Sequence, residues 1–249
     1  MLAKTGYYAM PINDDLSLSV GLAPSHPCSY LPAQQEQVVV VMDDDLLNVV
    51  SYEQLLAAGF RRSGALVYRP YCSACNACQS LRLCTSQFKP SRGQKRISRL
   101  NRDLTVMVSE ENKPEYYPLY QRYIHQRHAD GSMFPPSQGQ YNDFLRCHWL
   151  TPRYLELRLN NRLLAVAVTD QLPNALSAMY TFYDPDDEAR SLGSYAILCQ
   201  LALAKQSGRE WLYLGYFVND CQKMRYKHNY LPHERFIAGK WKIFDRKSE

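Results

Sequence analysis

Two runs of alternating apolar and polar residues, Tyr154–Leu159 and Leu163–Asp170, flank the dipeptide Asn160-Asn161. Asparagine tolerates the left-handed backbone of a tight turn, so the three pieces read as a β-hairpin. A third run, Ala175–Tyr183, ends at the turn signal Asp184-Pro185-Asp186. Ser191 then caps a segment whose apolar residues, from Leu192 through Ala196 to Leu203, recur at helical spacing until Gly208. Trp211–Leu214 follows as a fourth strand. A hairpin, a strand, a capped helix and a further strand predict an α+β unit, placed here at residues 109–249.

The preceding residues, 1–108, predict a smaller α+β domain that carries most of the cysteines. Ser51–Gly59 reads as a short helix with Ser51 as N-cap and Gly59 as its stop. Arg61–Arg69, Leu81–Thr85 and Leu104–Ser109 read as strands, and Gln94–Arg102 as a basic helix. Past the boundary, Pro114 opens a helix to about His128, strained early by Pro118. A polar loop follows, and then a helix to about Trp149. The length of 249 residues allows one large domain or two smaller ones with real cores.

Cys72-x-x-Cys75-x-x-Cys78 places three thiols within seven residues. Thiols two residues apart can converge around a tight turn, and thiolates suit zinc or an iron–sulfur cluster. A fourth ligand must come from elsewhere, and Cys28 is the best placed, with Cys84 and His26 behind it. A reduced thiol cluster with no metal is the competing reading. With eight cysteines and no secretion signal in Met1–Asp15, a disulfide framework is not expected.

Charge is unevenly distributed. Residues 1–60 hold one lysine against seven acids, whereas residues 61–128 hold thirteen Lys or Arg against four. The densest stretch, Lys89 to Arg102, has six cations and no acid. There Arg92, Lys95, Arg96, Arg99 and Arg102 recur every three or four residues, so a helix would carry them as a stripe. Such a stripe follows a phosphate backbone without reading bases, which points to RNA. The longest aliphatic run, Val38–Met42, is closed by Asp43-Asp44-Asp45 and is far short of a membrane span. A soluble, cytoplasmic monomer is expected.

His26–Pro32, Gly59–Gly64, Tyr68–Cys78 and Phe88–Arg92 resemble the amino-terminal half of the aminoacyl-tRNA–protein transferases. Arg127–Gly131, Phe182–Pro185, Arg190–Gly193, Tyr213–Tyr216 and Cys221–Lys227 resemble their carboxy-terminal half. The matches run in order over nearly the whole chain, and the compact length and cysteine motif look most like the bacterial, leucine-transferring branch. Eukaryotic relatives transfer arginine. The carboxy-terminal element order also resembles an acetyltransferase-like (GNAT-type) core. The resemblance implies that leucine passes from leucyl-tRNA to the α-amine of proteins beginning with Asp or Glu, marking them for degradation. The readings that compete are arginyl transfer to the same acceptors, a non-catalytic metal-ribbon RNA-binding protein, and a coenzyme A acetyltransferase.

Such a transfer is ester aminolysis and requires no cofactor. An α-amine with a pKa of ≈ 7.7–8.0 is about 10% neutral at pH 7, so the enzyme's task is orientation, oxyanion stabilisation and protonation of the leaving hydroxyl. For proton handling the candidates are Asp184, Tyr180, Tyr183 and Tyr216, with a plain turn and packing as the competing readings. The acceptor carboxylate calls for cations, and Arg190, Lys223, Arg225 and Lys227 lie near the expected cleft motifs. Ser191, Gly193 and Ser194 at a helix start could hold a tRNA phosphate, and Lys89, Arg92, Lys95, Arg96, Arg99 and Arg102 the tRNA backbone. Cys28, Cys72, Cys75 and Cys78 form the candidate metal set.

Overall fold

Asn48, not Ser51, caps the first helix. Its side chain accepts from the amides of Val50 and Ser51, while Ser51 Oγ accepts from the Asn48 amide, a reciprocal capping box that puts Ser51 inside the helix. The computed structural model describes residues 8–13 and 16–246, so Lys4, Asp14 and Asp15 of the acidic stretch lie outside the described residues. From the amino end come β1 (Tyr8–Asn13), β2 (Leu16–Leu22), the two-residue pair β3 (His26–Pro27) and β4 (Gln35–Glu36), β5 (Val38–Val41), α1 (Val49–Ala57), β6 (Arg61–Ser63) and β7 (Leu66–Pro70). The strand expected over Arg61–Arg69 is a hairpin, because Gly64 adopts a left-handed φ of 61° and turns the chain back. These strands form an antiparallel five-stranded sheet in the order β1-β2-β5-β7-β6.

Next come β8 (Gln79–Cys84), α2 (Arg92–Leu100), β9 (Thr105–Ser109), α3 (Tyr116–Arg127) and α4 (Gln138–Leu145). The chain then forms β10 (Arg153–Leu159), β11 (Arg162–Gln171), β12 (Ala175–Tyr183), α5 (Leu192–Gln206), β13 (Trp211–Phe217), α6 (Gln222–Arg225), β14 (His233–Ile237) and β15 (Lys240–Phe244). An eight-stranded sheet runs β15-β14-β8-β13-β12-β11-β10-β9. A boundary at 108 therefore cuts through this sheet: β9 forms its edge against β10, and β8 lies between β14 and β13. The reason is burial, since Leu81 and Leu83 of β8 share a core with Leu212 and Leu214 of β13 and with α5.

Alternation along the strands divides this sheet's faces. On one side Leu155, Leu157, Ala165 and Ala167 pack against Leu192 and Ala196 of α5. On the other, Tyr154, Val166, Val168 and Phe182 pack against α3 and α4. The two sheets are joined by a core in which Leu18, Val39 and Val67 of the smaller meet Ala175 and Tyr213 of the larger. Arg62 and Asp170, both fully buried, pair bidentately across this junction at 2.8 and 2.5 Å. The fold is mixed α and β, and among the described residues no helix is long and apolar enough to cross a membrane.

Candidate active site

The parallel ladder between β12 and β13 pairs Ala175, Leu176 and Ser177 with Trp211, Leu212 and Tyr213, and then stops. Beyond it, β12 pairs with β11 up to Tyr183 opposite Ala165. β13 pairs with β8, after a register shift between Tyr213 and Tyr216. Such an irregularity bends a strand and ends pairing on one side, so the two strands splay apart. Gly215 sits in the shift with φ 71°, and a Cβ there would lie 3.2 Å from Arg61 Nη1. Only glycine both adopts that backbone readily and lets the guanidinium lie against it. A void of about 10 Å³ marks the root of the splay, lined by Arg61, Ser177, Met179 and Gly215 among others.

One lip is aromatic. The Tyr183 ring lies tilted against that of Tyr123 of α3, centroids 4.8 Å apart, and the Tyr123 hydroxyl and His128 Nε2 are 3.0 Å apart. Gly193, in the first turn of α5, lies under the Tyr183 ring, where a Cβ would come within 3.2 Å of it. The other lip is cationic, formed by Arg61 and Lys227. Tyr226 stands within electrostatic reach of both Tyr183 and Arg61. Arg61 and Tyr226 were not among the expected site residues. Their signal is period-two alternation: within Arg61–Ser63, Arg62 turns inward to Asp170, so its neighbour Arg61 takes the opposite face.

Of the four expected acceptor cations, Lys227 is at this opening and buried, its Nζ donating to the Tyr216 carbonyl at 2.5 Å. Burial first, and the adjacent Arg61 second, push its ammonium down to about 7. Lys223 is largely exposed and pairs with Asp130 at 2.8 Å, within reach of His128. Arg225 is exposed. Arg190 belongs elsewhere. Its guanidinium holds Asp103 bidentately at 2.9 Å on both oxygens, and Asn101 donates to its carbonyl, so it anchors the end of α2.

The four proton-handling candidates differ in what surrounds them. Asp184 is buried and doubly paired, with Arg122 at 2.6 Å and Arg162 at 2.7 Å, and accepts from the Asp186 amide. Burial works against its charge, but the hydrogen bonds from Arg162 and Arg122 outweigh it and hold its pKa below the usual carboxylate range. A carboxylate so stabilised is a poor base. The Tyr216 hydroxyl is committed to the carbonyls of Gly59 and Tyr68 at 3.2 and 3.3 Å. Tyr180 points at Met133 Sδ, 3.5 Å away, and burial pushes its pKa up. Tyr180 and Tyr183 are both half-buried, and of the two Tyr183 is the one on the lip, against Tyr123 and Gly193.

The basic segment forms α2, capped reciprocally by Ser91 and Gln94. Lys89, Arg92, Lys95, Arg96, Arg99 and Arg102 are all exposed, and Gln94 is the helix's buried residue, donating to the Asn229 carbonyl. The helix packs on α5, and its end is tied to the residues just before that helix by Asn101, which donates to the Arg190 carbonyl, and by the Arg190–Asp103 pair. Ser191 precedes α5 with φ 52° and makes no side-chain cap, contrary to expectation; Ser194 offers its carbonyl to Tyr230.

Cys28, Cys72, Cys75 and Cys78 gather at the rim of a cavity of about 470 Å³ that also reaches Tyr216. Burial first, then the proximity of Cys28, Cys72 and Cys75, pushes the Cys78 thiol up to about 12. Yet among the described residues no three His, Cys, Asp or Glu side chains are arranged to hold one metal ion. The thiols converge without reaching ligand geometry.

Two family models cover the chain in order: arginine-tRNA-protein transferase, N terminus, over residues 26–96, and arginine-tRNA-protein transferase, C terminus, over residues 115–237. An aspartate/glutamate leucyltransferase from Aeromonas hydrophila is 59% identical over 96% of this chain and 100% of its own length. The protein of the same description from Pseudoalteromonas atlantica is 52% identical over 92% of this chain and 99% of its own. The solved structure of L-PGS from Bacillus licheniformis overlaps 68% of this chain and 50% of its own, with a TM-score of 0.45 at 11% identity. With both halves matched and the identity sustained almost end to end, the chain belongs to the aminoacyl-tRNA–protein transferase family, among the aspartate/glutamate leucyltransferases.

Proposed function

We propose that this aminoacyltransferase moves leucine from leucyl-tRNA to the α-amine of proteins that begin with Asp or Glu. The acceptor nitrogen attacks the ester carbonyl, the carbon–oxygen bond to the ribose breaks, and the ribose oxygen takes up a proton as the peptide bond forms. The observation that carries this reading is the splay between β12 and β13, with an aromatic lip, a cationic lip and the start of a long helix at its edge. That arrangement is how an acetyltransferase-like core would admit an activated acyl group and an amine from opposite sides.

The exposed cations of α2 lie next to the start of α5, so a tRNA acceptor stem laid on α2 brings its end to the splay. Ser191, Gly193 and Ser194 belong to the helix start that faces it, where backbone amides and the helix dipole favour a phosphate. Lys227 loses its proton near neutral pH, so it suits uptake of the proton that the acceptor nitrogen sheds as it adds to the ester better than it suits holding a permanent countercharge. Tyr183, half-buried on the lip, is read as the donor to the departing ribose oxygen. The protein is read as a monomer acting in the cytoplasm, where charged tRNA is found.

The test offers tRNAs charged separately with labelled leucine or arginine, and peptides beginning with Asp, Glu or acetyl-Asp. Leucine should pass to the free Asp and Glu peptides and not to the blocked one. Transfer of arginine in place of leucine, or tight tRNA binding with no transfer from either, refutes the reading.

A further inference from the structure

We propose that Arg61 is the specificity-determining residue that pairs with the side-chain carboxylate of the incoming N-terminal Asp or Glu. This rests on the transfer reaction above and names the group that selects its acceptor. An arginine with one or both faces buried normally satisfies its five donors with carboxylates or carbonyls. Arg62, next in the chain, does so with Asp170 and the Gly64 carbonyl. Arg61 does not: among the described residues the ionisable groups that act on it most are the tyrosines Tyr68, Tyr30, Tyr216 and Tyr52 rather than a carboxylate. What surrounds it is aromatic, with the Tyr216 ring 5.5 Å from its central carbon.

Its position suits the task. The guanidinium lies against Gly215 at the point where β13 turns away from β12, and it borders the void at the root of the splay. That void of about 10 Å³ is the size of a single water, or of one carboxylate oxygen. Lys227, bound to the Tyr216 carbonyl, stands on the same lip, but its charge is lost near neutral pH, so Arg61 is the permanent cation of the two. The planar fork of arginine is the side chain that matches a carboxylate with two parallel hydrogen bonds, and it stays charged at any working pH. An acceptor beginning with a neutral residue would bury this cation unpaired, which supplies rejection as well as attraction.

The experiment compares wild type, Arg61→Gln and Arg61→Lys. Leucine transfer is measured on peptides beginning with Asp, Glu, Asn and Gln, and tRNA affinity and thermal midpoint are followed alongside. Arg61→Gln should raise KM for the Asp peptide by tenfold to a hundredfold with kcat changed far less, and the preference for Asp over Asn should fall by a similar factor. Arg61→Lys should keep an intermediate preference. Equal losses on Asp and Asn peptides, or a fall in kcat at constant KM, overturn the proposal. Should Arg61→Gln fail to fold, an unchanged Asp-to-Asn ratio in Arg61→Lys overturns it by itself. Calorimetric binding of the Asp peptide without tRNA separates the two claims. Equal affinity in wild type and variant refutes the role of Arg61, whereas a wild type that binds the peptide and transfers no leucine refutes the reaction.

Discussion

Replacing Lys227 with methionine should change how stability depends on pH. The side chain is 5% exposed, and its ammonium, which ordinarily loses its proton near 10.5, is pushed down to about 7. Below about pH 7 the folded and unfolded states both carry the charge, and the folded state bears the whole cost of burying it. Between about 7 and 10.5 the unfolded chain holds a proton that the folded chain has released, so stability climbs as pH rises. Each pH unit in that window is worth about 1.4 kcal/mol, which gives roughly 2–3 kcal/mol between pH 7 and pH 9. Lys227→Met removes this dependence. It also leaves the Tyr216 carbonyl without its donor, a loss of about 1–3 kcal/mol that does not vary with pH. Urea unfolding of both proteins from pH 5.5 to 9 is the assay, in about half-unit steps. The stability of wild type relative to the variant should be level at the acid end and should rise by roughly 2–3 kcal/mol up to pH 9. Parallel curves across the whole range would refute the burial argument, and with it the reading of Lys227 as a group that exchanges its proton near neutrality.

Charge reversal at Arg92, Arg96 and Arg99 should weaken tRNA binding and flatten the slope of log K against log salt by about 0.7–0.9 for each phosphate no longer neutralised; an unchanged slope in filter binding removes α2 from the RNA surface. Arg190→Ala should lower tRNA affinity by about tenfold, because α2 loses the Asp103 anchor, and should leave KM for the acidic peptide nearly constant. A selective rise in that KM would instead return Arg190 to the acceptor site.

The order of elements was largely readable along the chain because it is written in local chemistry. The hairpin at Asn160, where φ is 54°, the stop at Gly59 and the stop at Gly208 follow from backbone preferences of single residues. The strands β10 to β12 and helix α5 follow from periods of two and 3.6. Family membership was legible for the same reason, since its motifs are short and contiguous. Local reading failed where two residues competed for one role. Asn48 and Ser51 are both good caps, and the chain uses them together.

Pairings across long sequence separations are absent from any local pattern. The insertion of β8 between β13 and β14 depends on which apolar strand best covers α5, a comparison made among residues more than a hundred positions apart. Partner choice decides the charges likewise. Arg190, Asp184 and Arg61 look alike on paper as polar residues in matching motifs. Tertiary packing gives the first an aspartate, the second two arginines, and the third a set of tyrosines rather than a carboxylate. A side chain's charge and reach are properties of its own residue, so the chain alone could name which groups were available for the chemistry. Whether a group is spent on the scaffold or left free depends on what folding places within about 4 Å of it, and only the folded molecule settles that.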